Sequence, residues 1–110
     1  MTGKIAVLYT LVSTKEEARR LAKQIVTEHW AACVNIFACD SVYRWEGELQ
    51  ETCEYALLIK TTQEQRASLV QWISQHHPYK TPAVLYDSDV SCSGDFANWI
   101  RDQVTGHVPG

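Results

Sequence analysis

A chain of 110 residues with 45% apolar and 21% charged side chains has the balance of a folded domain with its own core, which excludes an intrinsically disordered segment. A formal net charge of −3 offers no basic surface for a phosphate backbone, so nucleic acid is not expected as a partner. No apolar run approaches the ~18 residues of a membrane span, so no membrane partner is expected either.

In chain order, Lys4 to Val12 is almost continuously apolar and β-branched and predicts a mid-sheet strand covered on both faces. Its apolar run, Ile5 to Val12, is preceded by one lysine and lacks the small-residue cleavage site of a signal peptide, which makes the cytoplasm the expected compartment. Thr14-Lys15-Glu16-Glu17 is a capping box, followed at helical spacing by Ala18, Leu21, Ala22, Ile25 and Val26 on the inward face of a helix that ends near His29.

Cys33 to Thr61 reads as a long hairpin, with a first arm from about Cys33 to Trp45, a turn at Glu46-Gly47 and a second arm from Glu48 to Thr61. Each arm spans ~43 to 46 Å at ~3.3 Å per residue. A compact domain of this length is only roughly 34 Å across. The hairpin therefore overhangs its own domain and carries Val42, Tyr43, Trp45 and Leu49 with it, so a second copy of the chain is the expected cover. Phe37-Ala38-Cys39-Asp40 interrupts the pattern and predicts a bulge or bend.

Thr62-Gln63-Glu64-Gln65 is a second capping box, opening a helix with Leu69, Val70 and Ile73 on one face and its end at His77-Pro78. Pro78 to Pro82 is a stiff extended connection, and Ala83 to Tyr86 or a little beyond is the fourth strand. Ser91 to Gly94 has turn chemistry, Asp95 opens a last helix with Phe96, Trp99, Ile100 and Val104 inward, and Gly106 to Gly110 is a frayed tail. The order predicts a single α+β domain, core about 4–105, of the ferredoxin-like split βαβ type (βαββαβ plus a C-terminal helix). Its antiparallel sheet would have two helices on one face and a long protruding hairpin.

His76-His77-Pro78-Tyr79 is the densest cluster of chemical groups. Two imidazoles at a helix end suit Cu²⁺ or Zn²⁺, while a histidine in a last turn is also favoured by the helix dipole alone. Lys60 ends an otherwise apolar run and sits either near a cleft or simply in solvent. Tyr43-Arg44-Trp45 reads as an aromatic anchor in a subunit contact, and Glu54, if covered there, needs an arginine such as Arg44. Cys33, Cys39, Cys53 and Cys92 have no Cys-x-x-Cys spacing and read as reduced thiols. A Cys33 nucleophile with His77 as base has no supporting motif, and no hydrolase elbow, zinc-protease pair or phosphate loop is present, so no enzyme activity is expected.

Four blocks, Ala32-Cys33-Val34-Asn35-Ile36, Ser41-Val42-Tyr43-Arg44-Trp45-Glu46-Gly47, Leu58-Ile59-Lys60-Thr61 and His76-His77-Pro78-Tyr79, resemble the signature blocks of the CutA divalent-cation tolerance family from about Lys4 to Val104. The resemblance implies a tight homotrimer, in which hairpins extend a neighbour's sheet, and a link to metal ion tolerance, with Cu²⁺ or another divalent cation as the ion and no cofactor required. It also implies an inter-subunit cleft built by Cys33, Asn35, Tyr43, Trp45, Glu54, Lys60, His77 and Tyr79, with His76 and His77 matching a copper-linked pair. The chain departs from the family at Tyr9, where some members place a cysteine, at Ala83, where many are acidic, and at Ala38-Cys39, where Pro-Gly is common. A second reading, from another class, is a nucleotide- or small-molecule-responsive regulator, or a small enzyme, using Lys60, His77 and Tyr79.

Overall fold

The computed structural model describes residues 1–104, and the tail expected over 106–110 lies outside them. The elements are β1 (Thr2–Val12), α1 (Lys15–Thr27), β2 (Cys33–Trp45), β3 (Glu48–Thr61), α2 (Arg66–His76), β4 (Val84–Ser93) and α3 (Gly94–Val104). The four strands form one antiparallel sheet in the order β2-β3-β1-β4, which puts β1 in the middle and is the split βαβ arrangement with a helix appended.

Helix α1 starts where Thr14 Oγ1 accepts the Glu17 N–H at 3.1 Å. It ends in a Schellman arrangement, with His29 at a φ of 62°, its N–H donated to the Val26 carbonyl and the Trp30 N–H donated to the Ile25 carbonyl. In α2 the Thr62 hydroxyl does accept the Gln65 N–H, but residues 63–65 form a turn and the helix begins only at Arg66.

Strand alternation divides the core into two. Leu8 and Val12 of β1, with Leu57 and Ile59 of β3, pack under α1 and α2 against Ala18, Leu21, Ile25, Leu69, Trp72 and Ile73. Residues of the other parity, Ile5 and the half-buried Val7, join Ala97, Ile100 and Val104 of α3 in a separate cluster. Gly3 shares that parity, and a Cβ built on it would lie 2.4 Å from the Ala97 Cβ. Helix α3 therefore covers the first half of β1 on the side opposite α1 and α2, and the expected two-faced cover holds only there. Tyr9 and Leu11, further along the same side, have no helix over them and are half-buried.

Several boundaries differ from expectation. Strand β4 runs to Ser93 and leads directly into α3, so Ser91 to Gly94 is not a turn. Ala97 takes the inward place on α3 that was expected of Trp99, which is 44% exposed, and Val26 of α1 also faces outward. No bulge occurs at Phe37 to Asp40, because β2 and β3 pair without interruption from Cys33–Lys60 to Trp45–Glu48. The irregularity lies between β1 and β4, where Ser88 and Asp89 together oppose Ala6.

The last β1–β3 pair is Val12–Tyr55, so beyond it β2 and β3 continue as a two-stranded ribbon. A free ribbon can twist more strongly than a strand within a wide sheet, and it needs no bulge to do so. It closes in a two-residue turn with both Glu46 (φ 50°) and Gly47 (φ 81°) left-handed. The molecule is accordingly elongated, 47 × 28 × 21 Å with a radius of gyration of 14.7 Å. A compact chain of this length would have a radius of ~13 Å.

Candidate functional site: one sheet face with two polar groups

The β2–β3 register pairs Cys33 with Lys60, Asn35 with Leu58, Cys39 with Glu54, Tyr43 with Gln50 and Trp45 with Glu48. Paired residues share a face and alternate residues return to it, so Cys33, Asn35, Tyr43, Trp45, Glu54 and Lys60 all lie on the side of the sheet away from α1 and α2. Tyr9 and Leu11 share that side through their pairs with Leu58 and Ala56. Arg44 has the opposite parity and cannot turn to Glu54 of its own chain; its guanidinium instead donates to the Gly47 carbonyl at 3.5 Å.

Along this face the residues separate into two groups. Toward α3, Lys60 Nζ donates to Asn35 Oδ1, with Cys33 directly opposite Lys60. Burial pushes the Cys33 thiol up, against a smaller downward pull from the Lys60 ammonium, which is the reverse of what an activated nucleophile needs. Toward the ribbon, a groove of about 930 Å³ is lined by Leu11, Tyr43, Trp45, Glu54, Tyr79 and Lys80 among others. Lys60 and Glu54 are six residues apart on one strand, roughly 20 Å. One chain thus does not bring Lys60 to His77 and Tyr79, as the regulator reading requires.

The groove wall is built by the connection after α2. Proline at 78 holds His77 extended (φ −74°, ψ 139°), and the imidazole Nε2–H donates to the Leu11 carbonyl at 2.8 Å. The Tyr79 N–H donates to His77 Nδ1 at 3.0 Å, and the Tyr79 hydroxyl donates to Glu54 Oε2 at 2.8 Å. Burial, and next the hydrogen bond to Glu54, push the Tyr79 phenol up to about 12. Burial lowers the His77 pKa, opposed by its bond to the Leu11 carbonyl and by the negative charges of Glu17 and Glu54.

The two adjacent histidines are not equivalent. His76 stacks on Trp72 with ring centroids 4.2 Å apart and donates Nδ1–H to the Trp72 carbonyl at 2.8 Å, which leaves Nε2 as a free donor atom for a metal. His77 has both nitrogens engaged. Among the described residues no group of three or more His, Cys, Asp or Glu side chains is placed to hold a metal ion. The described residues of one chain thus bring together fewer than three such side chains at any one place.

Three groups escape the sequence pattern: on this face Leu11 contributes through its carbonyl and Cys39 through its contact with Tyr9, and on the helix side Trp72 contributes through stacking on His76. The Tyr9 phenol is pushed up first by burial and then by the charge of Cys39. The period-2 alternation of β1 is the signal that places Tyr9 and Leu11 beside the hairpin's odd-numbered residues; nothing in the sequence marks the Leu11 carbonyl.

The family described as CutA1 divalent ion tolerance protein matches residues 6–103. The chain is 33% identical to the divalent-cation tolerance protein CutA of Archaeoglobus fulgidus over 97 residues, 88% of this chain and 95% of that protein. It is 36% identical to that of Thermus thermophilus over 97 residues, 87% and 94% of the two chains. Among solved structures, CutA of Synechococcus elongatus superposes with a TM-score of 0.89 at 34% identity, covering 96% of each chain. CutA1 of Ehrlichia chaffeensis gives 0.88 at 33% identity, covering 93% of this chain and 96% of its own. With fold and nearly the whole length in common, this chain belongs to the CutA1 divalent ion tolerance family.

Proposed function

We propose that this protein works in divalent-cation tolerance as a non-catalytic, cytoplasmic homotrimer, and that clefts between its subunits take up Cu²⁺, another divalent cation or a small positively charged ligand. The observation that carries the reading is the ribbon, which exposes large apolar side chains on both faces. Val42 (63% exposed) and Leu49 (67%) lie on one side, with Trp45 (57%) and Tyr43 on the other. Wrapping both sides takes a partner that surrounds the ribbon, and a closed ring of identical chains does so while covering the strand edges. On this reading the ring also supplies what one chain lacks, by bringing polar groups of a neighbouring subunit to the groove.

The groove's charged lining favours a cation over a phosphate, since Asp40 and Glu54 outnumber Lys80. A Synechococcus elongatus CutA, 34% identical with a TM-score of 0.84, has been solved complexed with Bis-Tris, a tertiary amine that serves as a probe here. The test is sedimentation at micromolar concentration together with a melting screen. The expected mass is about three times 12.5 kDa, and Cu²⁺ or Bis-Tris should raise the melt while ATP should not. Trp45→Asp should split the assembly, because it places a charge in a dry contact. A folded monomer, or a Trp45→Asp variant that remains trimeric with an unchanged melt, would refute the assembly; stabilisation by ATP would favour the regulator.

A further inference from the structure

We propose that His77 is a neutral latch that positions Tyr79 on Glu54 and does not itself bind the cation, so that His76 is the metal-competent member of the pair. The inference rests on the cation reading for its metal half only.

The hydrogen-bond accounting is closed at this ring. A backbone N–H can only donate, so the Tyr79 N–H at 3.0 Å requires a lone pair on Nδ1. A carbonyl can only accept, so the Leu11 oxygen at 2.8 Å requires a proton on Nε2. One neutral tautomer satisfies both, and it has no lone pair to spare. A metal at Nδ1 would displace the Tyr79 N–H, and a metal at Nε2 would replace the proton that the Leu11 carbonyl receives. The Tyr79 ring sits against the imidazole with centroids 4.9 Å apart, so moving one moves the other.

The latch spans three parts of the chain. Pairing between β1 and β4 stops at Thr10–Val84, and Leu11, one residue further, is where the imidazole attaches. From there the link passes through Tyr79 to Glu54 on β3. It holds the turn that follows α2 against the sheet, and residues of that turn, Tyr79, Lys80 and Thr81, form one wall of the groove. His76 plays no part in this chain of bonds. Its Nδ1–H is spent within its own helix and its ring is stacked, which fixes the direction in which Nε2 points.

The experiment labels histidine with ¹⁵N and reads the tautomer of His77 by NMR at neutral pH in the full-length protein. It then compares wild type with His76→Ala, His77→Ala, His77→Asn and His77→Gln in thermal melts and in Cu²⁺ titrations. The expected tautomer carries its proton on Nε2. His77→Ala should lower the melting temperature by about 4 to 8 °C, the shift of a ~1 kcal/mol loss in a domain of this size. Asn places an oxygen near Nδ1, and Gln an amide near Nε2. Each keeps one end of the latch and should melt between wild type and the alanine variant, a graded rescue that mere loss of packing would not give. Cu²⁺ affinity should fall at least tenfold in His76→Ala and stay within twofold of wild type in both His77→Asn and His77→Gln. An Nδ1-protonated tautomer, or a tenfold loss of Cu²⁺ affinity in both amide variants with an unchanged melt, would overturn the proposal. A wild-type protein with no Cu²⁺ affinity overturns the metal half and the copper reading behind it; the tautomer and melts then decide the latch alone.

Discussion

Replacing Tyr79 with phenylalanine removes one oxygen and tests whether the Glu54 contact holds the groove wall. A hydrogen bond to a charged group contributes ~1.5 to 3 kcal/mol where both partners are buried. Tyr79 and Glu54 are only half-buried, so solvent screening reduces this to about 1 kcal/mol. Tyr79→Phe should therefore melt ~4 to 8 °C below wild type at pH 8. The pH dependence separates this bond from lost packing. In the unfolded chain the phenol ionises near its ordinary 10, whereas in the folded protein burial and Glu54 raise it to about 12. A raised folded value means that the folded state keeps the proton longer, so the contribution is complete below pH 10 and is lost as pH rises through about 12. Melts of both proteins from pH 8 to pH 12 should give curves that run parallel up to about pH 10 and then converge. Equal stability at pH 8, or a gap that is constant across the whole range, would show that the Tyr79 hydroxyl does not hold Glu54 as described.

Two further outcomes test the frame that carries the site. Gly3→Ala puts a methyl carbon 2.4 Å from the Ala97 Cβ and should cost about 1 to 3 kcal/mol by forcing α3 off β1. Denaturation should find most of that loss restored in Gly3→Ala with Ala97→Gly, less the ~1 kcal/mol of a helical glycine. His29 occupies the left-handed position after α1 while its Nδ1–H donates to the Gln103 carbonyl at 2.9 Å. Alanine and glycine both lose that bond, but only glycine relieves the backbone, so His29→Gly should be about 1 kcal/mol more stable than His29→Ala in urea titration.

Much of this was legible in the sequence because it follows from periodicity. The 3.6-residue spacing of Ala18, Leu21, Ala22 and Ile25 fixes the buried face of α1, and a hairpin too long for its domain is an arithmetic consequence of two uninterrupted β-rich arms. The failures occur where a local signal meets a tertiary condition. Ser91 to Gly94 has the composition of a turn, yet Lys4 Nζ bonds Ser91 Oγ at 2.9 Å and Cys92 pairs with Gly3, which carries the strand through it. Phe37 to Asp40 lacks the usual alternation, but strand pairing with Ala56 to Cys53 holds it straight. The sequence offers the candidate residues as a set and not as an arrangement. The sequence places His76 beside His77 and cannot say that one ring nitrogen of the first is free while both of the second are engaged.

That distinction bears on how a chain with so few metal ligands can belong to a cation tolerance family. Around the candidate site one subunit offers His76 Nε2, the Glu54 carboxylate, which accepts a hydrogen bond from the Tyr79 hydroxyl, and a lysine–asparagine pair at the far end of the sheet face that holds Glu54. Divalent cations take four or more donors, water included, and on the proposed reading the protein donors come from more than one subunit. On the proposed ring this ties cation uptake to assembly, because donors separated by roughly 20 Å along one strand meet only when a neighbour's copy is laid against them. The affinity for Cu²⁺ should then fall together with the trimer in Trp45→Asp, although Trp45 supplies no ligand atom. Copper binding that survives unchanged in a dissociated Trp45→Asp monomer would place the whole site within one chain and against the geometry of His76, His77 and Glu54.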